Sequence, residues 1–227
     1  MRRFRACLLG MAVVISTPVI SSQHRTQTDV SEEQAVKVFW KFSNCAVRRD
    51  PNGAAVLLNS LDWNEETREA ANKFATRHRG CLAPTEVMQM YSGIFGTALA
   101  GALFVNNYKG KALPDYSGTP RVITEDLINN TADKAYRDVF LLRSFAECVF
   151  RANPDHVRSL LESNPVSAAE NALFDKLMPM LGHCLPTKEG DQVRFSRLKL
   201  RSLLGQAAYF VDSARSGRPI VQTGAQE

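Results

Sequence analysis

The sequence has little that announces chemistry. It holds no G-x-S-x-G, no P-loop and no glycine-rich nucleotide turn, which removes the commonest serine-hydrolase and nucleotide-handling signatures. No C-x-x-C pair occurs, so a thioredoxin-like redox role has no support. The histidines His24, His78, His156 and His183 lack H-E-x-x-H or comparable spacing, and no metal or cofactor is expected. Paired carboxylates, Glu65/Glu66 and Glu125/Asp126, fall in first helical turns, where negative charge is favourable without any catalytic reason. Alternating strand patterns are missing too, apart from a short extended piece at Val193–Phe195. Trp40 and Trp63 read as packing residues.

Strong charge of one sign is also lacking once the first residues are set apart. Met1-Arg-Arg-Phe-Arg, an apolar run from Ala6 to Ile15 and a small-residue exit around Val19-Ile20-Ser21 predict a secretory signal over 1–22. The apolar run is too short to cross a bilayer. Cys7 lies at its start, where no lipoprotein cysteine belongs. Without Arg2, Arg3 and Arg5, 25 basic residues face 23 acidic ones, a balance of +2 against +5 for the whole chain. Phosphate binding needs a concentrated positive surface, so nucleic acid is not an expected partner. The expected localisation is exported, periplasmic or extracellular.

What the sequence does contain is one phrase twice. "FSNCAVRRDPNGAAVLLNS" at 42–60 returns as "FAECVFRANPDHVRSLLES" at 145–163, 103 residues on. Sliding 42–82 over 145–185 needs no gap and gives ten identities, among them Phe42/Phe145, Arg48/Arg151, Pro51/Pro154, Leu57/Leu160 and Leu58/Leu161. Asp50 aligns with Asn153 and Asn64 with Ser167, residues that can each cap a helix. Beyond Cys7, four cysteines remain. Cys45, Cys81, Cys148 and Cys184 form two pairs with the same internal spacing and the same offset as the repeat. Two copies of one unit, each with its own Cys45–Cys81 or Cys148–Cys184 bridge, follow.

Caps and periodicity place helices in each copy. Ser31-Glu-Glu-Gln34 is a capping box opening a helix that stops at Asp50-Pro51. Asp50 caps a short second helix, Asn64 a third ending near Gly80-Cys81, and Thr85 a fourth through Leu103. Copy two repeats the scheme, with a long helix from about Asp133 to Ala152, a second through Leu161 and a third opened by Ser167. Pro179 is expected to distort that third helix's last turn. Six extra residues precede the final helix, capped by Ser196 behind Phe195 and carrying one apolar face of Leu200, Leu203, Leu204, Ala207, Ala208 and Val211. The prediction is an all-α protein of two tandem pseudo-equivalent units of about four helices, each stapled by one disulfide. Unit 1 spans 23–105 and unit 2 spans 123–213. A glycine- and proline-containing linker at 106–122 joins them, and a disordered tail follows at 214–227.

The elements F-x-x-C-x-x-R-x-[DN]-P, the leucine pair, Cys-Leu and the last helix "LRSLLGQAAYF" resemble a group of uncharacterised secreted alphaproteobacterial proteins. The likeness covers about 137–211. Copy one departs in its fourth helix, where "SGIFGTALAGALF" keeps the glycine and alanine spacing but loses the charges. The resemblance implies export and the same cysteine pairing, and carries no known activity.

Arg48 and Arg151 are the matched polar residues with binding potential, because a guanidinium fork suits carboxylates and phosphates. As candidate anion-binding residues they compete with a simpler role at the end of a helix, where a cation meets free carbonyls. Arg194, Arg197, Lys199 and Arg201 are expected on a solvated face. Residues 87–105, "VMQMYSGIFGTALAGALFV", carry no charge; a membrane-associated protein is one alternative reading and a buried helix between the copies the favoured one. The expected function is a non-catalytic helical binding or scaffold protein that takes a protein or peptide in a helical groove. An enzyme of unrecognised type is a further alternative.

Overall fold

The computed structural model describes residues 31–59, 64–84, 92–185, 196–218 and 220. The expected signal at 1–22, the Thr85 cap, Val193–Phe195 and residues 221–227 lie outside the described residues. The described residues form helices and the loops between them, with no strand among them: α1 (Glu32–Arg49), α2 (Pro51–Leu57), α3 (Glu65–Arg77), α4 (Ser92–Asn107), α5 (Glu125–Asn130), α6 (Lys134–Ala152), α7 (Pro154–Glu162), α8 (Ala168–Cys184) and α9 (Arg197–Arg215). A 3-10 turn at Arg79–Cys81 follows α3.

The helix starts follow from local chemistry. Ser31, Asp50, Asn64, Asn153, Ser167 and Ser196 each accept a hydrogen bond from the backbone N–H three residues on, satisfying a donor that the first turn leaves free. Asp50 and Asn153 end one helix and start the next with nearly the same backbone, φ −145°, ψ 71° and φ −155°, ψ 76°. The following proline enforces that break. In α8, the helix continues through Pro179 to Cys184, past the turn expected to distort. Buried Leu181 and the bridged Cys184 hold its last turn.

Each unit carries its own bridge. Cys45–Cys81 and Cys148–Cys184 both join α-carbons 5.6 Å apart across 36 residues, tying α1 to the turn after α3 and α6 to the end of α8. The packing is doubled in the same way: α4 lies on α1 and α2 as α9 lies on α6 and α7. The most extensive helix pairing joins α4 to α9, so the two units close on each other through their last helices. Phe95, Leu99, Ala100 and Phe104 of α4 are wholly buried there. From Phe95 to Phe104 this helix is thus internal. Residues 87–91 lie outside the described residues.

In α9 the burial exceeds the expected single face. Residues 204–213 are buried on every side, because α4, α6 and α7 all pack against this helix. It runs through Arg215, beyond the expected end of unit 2 at 213. The segment expected as a linker is likewise packed: Tyr116 and Val122 are buried and Leu113 rests against the core.

The α4/α9 crossing depends on two glycines. A Cβ on Gly205 would lie 2.9 Å from the Gly101 α-carbon, and one on Gly101 would lie 3.3 Å from that of Gly205. Alanine is the better helix former in isolation. Here the backbone contact wins, and Gly205→Ala is expected to lower stability by about 1–3 kcal/mol through overpacking. Urea denaturation would measure it; a stabilised variant would mean that the helices part freely.

Candidate functional site

The two units meet along a groove between the first half of α1 and the first half of α9. Val36, Phe39, Trp40 and Leu198 form its apolar walls, Ala98 and Gly101 of α4 its floor. A cavity of about 40 Å³ lies at the inner end, and about 300 Å³ of space opens outward between Val36, Val166 and Leu198, with Glu33 and Arg197 at the rim. The backbone of α4 comes close here because small side chains line it.

Arg201 sits at the base of this groove and corrects the expectation of a solvated arginine face. It is only 7% exposed. Its Nη1 lies 2.6 Å from Glu170 Oε1 and donates to the Leu160 carbonyl at 2.8 Å; its Nη2 donates to the carbonyls of Leu161 and Ser163, both at 2.8 Å. The guanidinium therefore closes the end of α7, whose last carbonyls have no partner within the helix. Burial pulls the Arg201 pKa down from its ordinary value, and the Glu170 carboxylate acts against that shift. Position 201 precedes Leu204 by three and follows Leu200 by one, so helical spacing puts it at the margin of the buried face. Arg197 and Lys199 are exposed as expected; Arg194 lies outside the described residues.

A second buried carboxylate holds the segment before α5. Glu147, 3% exposed, accepts the N–H of Val122 at 3.1 Å and of Ile123 at 3.0 Å. Arg151 pairs with it, Nη2 to Oε1 at 2.8 Å. The same arginine donates to the carbonyls of Tyr116, Thr119 and Pro120 at 3.3, 2.9 and 2.7 Å. Arg151 is thus engaged by the chain itself and is no open anion site. Nor does it cap its own helix: the carbonyls it reaches belong to a strap folded back from residues 116–123. Its repeat partner Arg48 stands exposed at the end of α1, with no hydrogen bond or ion pair among the described residues.

A third cluster ties α4 and the strap to α9. Buried Asp212 accepts hydrogen bonds from the hydroxyls of Tyr108 and, at 3.4 Å, Tyr116, and from Arg218 Nη2 at 2.8 Å. Arg215 approaches it to 3.5 Å. Burial pushes both tyrosine hydroxyls above their ordinary pKa, with the Asp212 charge adding to the effect. They remain protonated donors near neutral pH, an arrangement that fastens elements together and supplies no base.

Of the remaining candidates, Glu65, Glu66, Glu125 and Asp126 are exposed in first turns, and His78 is buried beside Phe74 with ring centroids 4.5 Å apart. His156 meets the Leu173 carbonyl at 3.3 Å, His183 that of Pro179 at 3.2 Å. Among the described residues no group of three or more His, Cys, Asp or Glu is placed to hold a metal ion. Sequence reasoning missed Glu147, Asp212 and the buried ion pair of Glu170; the available signal was a carboxylate in the apolar stripe of each helix. No family model, no curated protein and no solved structure matches the chain.

Proposed function

We propose that this chain is an exported, non-catalytic helical protein that binds a protein partner in the groove between α1 and α9. The observation that carries this reading is the groove itself: an apolar surface of Val36, Phe39, Trp40 and Leu198, open where the two units meet and flanked by charge. Export is supported by two disulfides, which persist in oxidising compartments, and by the leader-like pattern of 1–22. The burial of Phe95, Leu99, Leu103 and Phe104 of α4 supports this reading over the membrane-associated one. No helix among the described residues is long and apolar enough to cross a membrane.

A photo-crosslinking side chain placed at Ser202, which lines the groove, tests the reading against one placed at exposed Tyr136 on α6. In the native compartment, Ser202 is expected to give one discrete adduct that Leu198→Asp abolishes. Equal labelling from both positions, or none from Ser202, would overturn it.

A further inference from the structure

The groove of unit 2 between α6 and α9 is occupied by the chain's own strap. Val122 and Ile123 lie in it, their N–H groups on Glu147, and only about 10 Å³ of free space remains. Its other lining residues are Arg143, Glu147, Gln206, Ala207, Phe210 and Val211. Stepping back 103 residues on the first helix of the unit, and 109 on the last to allow for the six-residue insertion, converts these to Trp40, Asn44, Thr97, Ala98, Gly101 and Ala102. All six line the open cavity beside α1 and α4. The same step converts Val122-Ile123 to Val19-Ile20, the same two residues.

We infer that the α1/α4 groove of unit 1 docks an extended segment of a partner polypeptide bearing two consecutive β-branched aliphatic residues of the Val-Ile kind. Unit 2 displays the mode of binding. Backbone N–H groups meet the side chain at position 147, carbonyls further upstream meet Arg151, and the aliphatic side chains enter between the helices. In unit 1, Asn44 occupies the carboxylate's position. Its Nδ2 donates to the Trp40 carbonyl at 2.8 Å, which leaves Oδ1 to accept an incoming N–H. Exposed Arg48 stands where Arg151 does and offers donors to the segment's carbonyls. Main-chain bonds with pockets for adjacent side chains are a recurrent way of recognising extended peptides. The inference rests on the export reading, under which Val19-Ile20 departs with the leader and leaves the groove to another chain.

The protein recovered from its exported location provides the test, with its N-terminus read by intact mass. The probe is the peptide Thr-Pro-Arg-Val-Ile-Thr, the strap's own sequence, and the readout is Trp40 emission in a Trp63→Phe background. A saturable change is expected with the chain that starts after Ile20, and none with Thr-Pro-Arg-Asp-Asp-Thr. Asn44→Glu restores the second acceptor oxygen and the charge, and is expected to tighten binding about tenfold, since hydrogen bonds to ionised acceptors are roughly twice as strong. No saturable change, or the same affinity for Asn44→Glu, overturns the docking site while leaving export intact. Retention of Val19-Ile20, with the peptide binding only after its removal, makes the chain's own segment the occupant and overturns the partner. Failure of export is read separately, from location and mass.

Discussion

Arg201→Met is expected to lower the stability of this protein by about 3–5 kcal/mol, the cost of leaving a buried carboxylate without its partner. Both side chains are nearly sealed from water, 8% exposed for Arg201 and 5% for Glu170. Removing the guanidinium also takes a donor from the carbonyls of Leu161 and Ser163, whereas that of Leu160 keeps the Ser163 N–H and hydroxyl. Methionine preserves most of the volume, so the loss reads the polar contacts and not a cavity. Glu170→Leu in the same chain is expected to recover much of it, because an apolar pair at such a site is often as stable as the ion pair it replaces. Urea denaturation of the two single variants and the double variant forms the cycle. Additive losses would mean that Arg201 and Glu170 act independently, against the geometry.

Loss of either bridge is the other large effect. Cys148→Ser with Cys184→Ser, or Cys45→Ser with Cys81→Ser, releases a loop of the same 36-residue separation, worth about 4 kcal/mol on the loop-entropy account. The equal loop lengths predict nearly equal losses. Because α4 and α9 join the units through one continuous core, each loss is expected to lower a single unfolding transition followed by far-UV circular dichroism. Two separated transitions would show that the units unfold independently. Without both bridges the combined loss approaches the whole stability typical of a domain, and the chain is expected to be largely unfolded at 37 °C.

Much of the fold could be read along the chain because its determinants are local. Asp50-Pro51 and Asn153-Pro154 break helices by backbone sterics that act between neighbours, and the six N-caps bond three residues ahead. The bridges could be paired because the repeat supplied a second copy to compare. Arg201 shows where such reading stops: it lies between Leu200 and Leu204, among other basic residues, and composition alone points it to solvent. What buries it is the end of α7 and Glu170 of α8, both more than 30 residues away in sequence.

The candidate site divides in the same way. Arg48 and Arg151 are equivalent in the repeat, although Asn44 stands four residues before one and Glu147 before the other. The structure separates them completely, since the strap 116–123 folds back onto Glu147 and Arg151 whereas Arg48 is left exposed. Trp40 and Leu198 belong to opposite ends of the chain and become walls of one groove only when α4 and α9 cross at Gly101 and Gly205. Helix boundaries, bridge pairing and the presence of two units were determined by the sequence itself, because caps, prolines and repeat spacing act at fixed short range. Which charges are buried, which arginine is exposed and where a groove opens were decided by tertiary structure. Each depends on the desolvation of a group by elements distant in sequence, and no local pattern carries that information.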